Sequence, residues 1–65
     1  MKSYSSSEVI AMLKENGWYH IRTRGDHWHF KHAEKKGLVT VPHPNKSLKI
    51  NELKSIERQS GLKFK

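Results

Sequence analysis

The sequence contains no cysteine. Disulfides and thiolate metal sites are therefore excluded, and with them the usual staple of a small secreted domain. Long apolar runs are also missing, and nothing approaches the ~18 residues of a membrane-spanning helix. Met1 to Ser7 is polar and lacks the apolar stretch of a secretory signal. No membrane association and a reducing cytoplasm are the expectations. Hydrophobic residues are scarce, at 34% of 65 residues. The chain is expected to form a single domain over 1–65, with a small core and no cleft between domains. Acidic residues are few, 6 against 13 Lys and Arg, which leaves a net charge of +7. That imbalance favours a polyanionic partner, and nucleic acid is the commonest one.

Local signals divide the chain into five elements. Ser5 and Glu8 have capping-box spacing, and Val9, Ile10, Met12 and Leu13 follow at helical intervals. This predicts a helix from about Ser6 to Asn16, ended by Gly17. Two strand patterns, Trp18 to Arg24 and His27 to His32, flank Gly25-Asp26, a dipeptide suited to a two-residue type II′ hairpin turn. A charged loop, Ala33 to Lys36, leads through Gly37 to a third strand, Leu38 to Val41, stopped by Pro42. His43 to Lys46 reads as a turn with His43 exposed. Asn51 can cap a second helix, Glu52 to Ser60, with Leu53 and Ile56 inward and a Gly61-Leu62 ending. The order αβββα predicts an α+β fold: a three-stranded antiparallel sheet with both helices on its apolar face.

An uninterrupted hairpin would pair Arg24 with His27, Arg22 with His29 and His20 with Lys31 on one face. The other face would pair Thr23 with Trp28, Ile21 with Phe30 and Tyr19 with His32. One face is then cationic and imidazole-rich, and the other apolar and aromatic. Trp28 and Phe30 are read as core, because a domain this small needs their area.

There are 5 histidines, and this side chain both accepts and donates protons near neutral pH. Cleavage of RNA by its own 2′-OH needs a base, a proton donor for the leaving 5′-oxygen, and cations for the charge on phosphorus. His27 with Arg22, Arg24 or Lys31 could supply these, and His29 could be a second proton carrier. The same face also suits a non-catalytic basic surface that only binds phosphate. His27, His29 and His32 raise a metal reading, but the flanking arginines repel a cation and only Asp26 adds a carboxylate, so no metal or cofactor is expected. A DNA-binding role is weaker still, since the second helix carries Glu52 and Glu57 beside Lys54 and Arg58.

Several segments in order carry a resemblance. They are Gly17-Trp18 after a short helix, Arg24-Gly25-Asp26-His27-Trp28-His29-Phe30, Gly37-Leu38-Val39-Thr40-Val41-Pro42, Lys54-Ser55-Ile56 and Gly61-Leu62. Over about Ser6 to Leu62 the chain resembles the HicA (YcfA/HicA) mRNA interferase toxins. The resemblance implies a double-stranded-RNA-binding-domain-like αβββα fold, metal-free cleavage of mRNA, and a HicB-like antitoxin as partner. The family's glycine–serine–histidine motif falls on Gly25, Asp26 and His27. His27 is thereby implied as the catalytic histidine and Gly25 as the residue shaping its turn, with Arg22, Arg24, His29 and Lys31 as candidates for RNA binding. Asp26 departs from the usual serine and puts a phosphate-repelling carboxylate beside His27.

Overall fold

A reciprocal exchange between Ser5 and Glu8 starts the first helix. The Ser5 hydroxyl accepts the Glu8 N–H at 3.1 Å, and a Glu8 carboxylate oxygen accepts the Ser5 N–H at 2.8 Å. The second of these bonds holds the Glu8 carboxyl below the usual carboxylate range. In the computed structural model, which describes residues 2–64, α1 spans Ser6–Glu15. Strands β1 (Trp18–Arg24), β2 (His27–His32) and β3 (Val39–Pro42) follow, then α2 (Ile50–Ser60). The sheet has the order β1-β2-β3, with both pairings antiparallel. This is the αβββα arrangement expected. Gly25 has φ 61°, and no non-glycine residue among those described has positive φ. Asp26 is therefore in an ordinary conformation, which fits a II′ turn and excludes I′.

The register departs from the regular hairpin at one residue. Arg24 pairs with His27, Thr23 with Trp28 and Arg22 with His29 as expected, but His20 then pairs with Phe30, Tyr19 with Lys31 and Trp18 with His32. Ile21 is left over as a bulge. One extra residue reverses the facing of everything before it. His20 thus leaves the cationic face, where it had been expected opposite Lys31, and stacks on Trp28 at 4.3 Å on the helix side. Tyr19 and Ile21, both expected on the core face, are instead 49% and 41% exposed. In their place the bulge carries Trp18 into the core at 2% exposure. The indole is the largest apolar side chain of the three, and its burial removes more area from water than that of either Tyr19 or Ile21 alone.

Both helices cover the face of the sheet that carries Phe30, Val39 and Val41. Val9, Ile10 and Leu13 of α1 and Leu53 and Ile56 of α2 join those residues in one core. Leu48 and Phe64 complete it, with Tyr4 tilted against Phe64 at 5.1 Å. Helix α2 begins two residues earlier than expected, with Lys49 as its N-cap. Glu52 reaches back so that its Oε1 accepts the Lys49 N–H at 2.8 Å. Asn51 lies inside the helix, and its Oδ1 accepts the Glu52 N–H at 3.0 Å. Gly61 at φ 80° ends the helix.

His43 is half-buried rather than exposed. Its Nδ1 lies 2.6 Å from the Ser6 hydroxyl, and its ring meets Trp28 edge-on at 4.5 Å. Ser6 is 1% exposed. Its N–H donates to the Asn45 carbonyl at 2.9 Å, and its hydroxyl accepts the Asn45 N–H at 2.9 Å. The start of α1 is thereby tied to the β3–α2 loop. Among the described residues no helix is long and apolar enough to cross a membrane.

Candidate active site

The face of the sheet away from the helices carries the residues singled out by sequence. Two cross-strand pairs, Arg24 with His27 and Arg22 with His29, stand side by side there. They alternate with Thr23 and Trp28, which point the other way, so the strand period of two sorts them. Lys31 lies two positions beyond His29 and faces Tyr19. The structure thus brings His27, His29, Arg22, Arg24 and Lys31 to one face and removes His20 from it. Gly25 sits at the hairpin tip, where an added Cβ would meet nothing within 4 Å. Its need is conformational: positive φ, which a branched residue resists.

The two histidines differ in surroundings. His27 is held loosely, since its Nε2 lies 3.8 Å from Asp26 Oδ1 and the side chains are 57% and 78% exposed. An ion pair that long and that wet restrains little. His29 is half-buried, and its Nδ1 is 3.0 Å from the Thr40 hydroxyl. Burial pushes its pKa below the usual histidine range, and the positive charges of Arg22, His27, Arg24 and His20 act in the same direction. His29 is therefore a neutral imidazole at neutral pH. When Nδ1–H donates to Thr40, the Nε2 lone pair is free to accept a proton on the open face.

Sequence reasoning missed the contribution of α2. The Thr40 N–H, on the outer edge of β3, donates to Gln59 Oε1 at 3.0 Å. Helix α2 therefore seals the edge that β3 would otherwise leave unpaired. Between the helix and the strand runs an open groove of about 160 Å³ lined by His27, Thr40, Pro42, Glu52, Ser55 and Gln59. Glu52, Ser55 and Gln59 recur at three- and four-residue steps, a polar stripe beside the apolar Leu53 and Ile56. That stripe was the available signal, but its spacing alone does not say which strand it meets.

His32 stands apart from the other two histidines of β2. It lies on the opposite face, and both ring nitrogens are engaged: Nδ1 accepts the Glu34 N–H and Nε2–H donates to the Asn16 carbonyl, each at 3.0 Å. Those bonds fix the ring in place against Trp18. It therefore cannot share a metal with His27 and His29. Among the described residues no group of three or more His, Asp or Glu side chains is placed to hold a metal ion.

A model of the HicA toxins of bacterial toxin–antitoxin systems matches residues 6–62. No curated protein matches the chain. The matched span contains both helices, the whole sheet and every residue of the cationic face.

Proposed function

The chain belongs to the HicA toxins of bacterial toxin–antitoxin systems, and from that premise we propose that it is an endoribonuclease acting on mRNA, silenced by a HicB-like antitoxin. The observation that carries this reading is the pair of cross-strand contacts that sets His27 and His29 beside Arg24 and Arg22 on an uncovered sheet face. Side chains two residues apart on a strand stand roughly 6–7 Å apart. Two imidazoles at that spacing can flank one phosphodiester. His29, neutral and held by Thr40, takes the proton of the 2′-OH. The 2′-oxygen attacks phosphorus, a cyclic 2′,3′-phosphate forms, and the bond to the 5′-oxygen breaks. His27 gives a proton to that oxygen. Arg22 and Arg24 stabilise the charge that builds on the phosphoryl oxygens, and Lys31 binds a neighbouring phosphate. The step consumes no co-reactant, so neither a metal nor a cofactor is required.

The test is incubation of the purified protein with RNA, and with DNA of the same sequence, in the presence of EDTA. The expected result is cutting of RNA only, because the ribose supplies the nucleophile. Loss of cutting on chelation, restored by zinc or magnesium, refutes the metal-free step. RNA that is bound but never cut makes the same face a non-catalytic RNA-binding module.

A further inference from the structure

The groove between α2 and the edge of β3 has a chemistry distinct from the cationic face that it borders. Its polar groups come from Glu52, Ser55, Gln59 and Thr40, and Pro42 adds an apolar ring. Apart from His27 at its mouth, its one ionisable group is the Glu52 carboxylate. A carboxylate repels phosphate, so the sugar–phosphate backbone belongs on the sheet with Arg22, Arg24 and Lys31, and the groove suits an uncharged part of the nucleotide.

Two side chains in the groove have a fixed half and a free half. Glu52 Oε1 is committed to the Lys49 N–H at 2.8 Å, which leaves Oε2 as an acceptor. Gln59 Oε1 is committed to the Thr40 N–H at 3.0 Å, which fixes how the amide is oriented. Its Nε2 makes only a long 3.5 Å contact with the Ser55 hydroxyl and remains a donor. A fixed acceptor and a fixed donor, two helical turns apart on the same side of α2, suit separate polar groups of one nucleotide: an exocyclic amino group at Glu52 and a ring nitrogen, carbonyl or hydroxyl at Gln59.

We propose that this groove is a nucleobase subsite, in which Glu52 and Gln59 read a base bearing an exocyclic amino group next to the bond cleaved at His27. Adenine, cytosine and guanine all offer such a group. Uracil is disfavoured: its one donor, N3–H, is flanked by two carbonyl oxygens that would face the carboxylate. The proposal rests on the ribonuclease reading for the location of the scissile bond, but base binding is separable from cleavage.

The experiment therefore uses RNA that cannot be cut. Dissociation constants are measured for a 2′-O-methyl uridine hexamer and for the same hexamer with one A, C or G, against wild type, Glu52→Gln and Gln59→Glu. Both variants keep an oxygen for the existing bond, to the Lys49 and the Thr40 N–H respectively, and melting curves verify the fold. Wild type is expected to prefer each amino-bearing hexamer to oligo-uridine by roughly tenfold, the size of one good base contact. Glu52→Gln should abolish that preference or turn it towards uracil, and Gln59→Glu should weaken it. Equal binding of all four hexamers, no binding of any, or a preference that survives both variants overturns the proposal. Cleavage of the matching 2′-OH hexamers runs in parallel. A base preference without cleavage keeps the subsite and removes the ribonuclease reading, and cleavage with no base preference does the reverse.

Discussion

His27 and His29 share one strand face, yet their surroundings differ, and the proposed mechanism gives them different work. His27 makes a single long contact, to Asp26, and its side chain is 57% exposed. His27→Ala should therefore leave the thermal melt unchanged while lowering cleavage by on the order of 10²–10⁴-fold, the usual worth of a positioned proton carrier. Growth arrest on expression of the chain alone should be relieved in the same variant. A folded His27→Ala protein that stays fully toxic removes the residue from the mechanism. His29 makes a different prediction. A base must be unprotonated, and burial together with the surrounding cations pushes the His29 pKa down. The acid limb of kcat/KM should therefore fall below the ordinary histidine range. Thr40→Val, which deletes the hydroxyl bonded to Nδ1, should alter that limb and kcat with less effect on KM. The same depressed pKa makes the folded state the poorer proton binder, so its contribution to stability is full above the ordinary histidine pKa. It is lost as pH falls through the lowered value.

Among the elements, the hairpin and the start of α1 carry the most consequence. Gly25 at φ 61° has open space around a hypothetical Cβ, so Gly25→Val meets no clash and suffers backbone strain alone. A cost of about 1–3 kcal/mol is expected, read as a lower melting temperature together with lost cleavage as His27 shifts at the turn. An unchanged melt refutes the turn assignment. At the other end of the core, the Ser6 hydroxyl is buried and meets both His43 Nδ1 and the Asn45 N–H. Ser6→Ala removes that hydroxyl and leaves the Asn45 N–H without its acceptor, at a cost of roughly 1–3 kcal/mol. Denaturant melts should detect this, with the midpoint moving and the slope unchanged. The bulge at Ile21 is the element-scale feature that no pattern announced. Alternation through Tyr19, His20 and Ile21 is equally consistent with an unbroken strand, and only the competition between Trp18 and Ile21 for the core decides it.

At the scale of the whole molecule, the net charge of +7 meets an architecture that puts both helices on one side of the sheet. The uncovered side carries Arg22, Arg24, His27, His29 and Lys31, where the proposed function places the RNA. RNA affinity should fall steeply with salt as bound counterions are exchanged. An antitoxin that silences this face most directly covers it with an acidic surface, and opposite potentials speed the encounter. Arg22→Glu combined with Arg24→Glu is therefore expected to lose RNA binding and antitoxin binding together. Both are measured by titration on the same protein. A variant that loses RNA yet holds the antitoxin as tightly as wild type moves the inhibitory contact to another surface.

Much of this protein follows from local sequence. The Ser5–Glu8 exchange, the Gly25-Asp26 turn, the αβββα order and the pairing of His27 and His29 with arginines each depend on residues at most a few positions from one another or from a tight turn. Short-range hydrogen bonds and the two-residue strand period settle them whatever the rest of the chain does. The remainder waited for tertiary structure because each case is decided between segments distant in sequence. Trp18 outcompetes Ile21 for the core under α1, and His20 changes face as a result. Ser6 captures the Asn45 backbone from 39 positions away and draws in His43. Gln59 finds the free edge of β3 at Thr40, 19 positions back, and so brings Glu52 beside His27. A helical stripe shows which side of α2 is polar, but only the packing of Leu53 and Ile56 into the common core sets which strand that side meets.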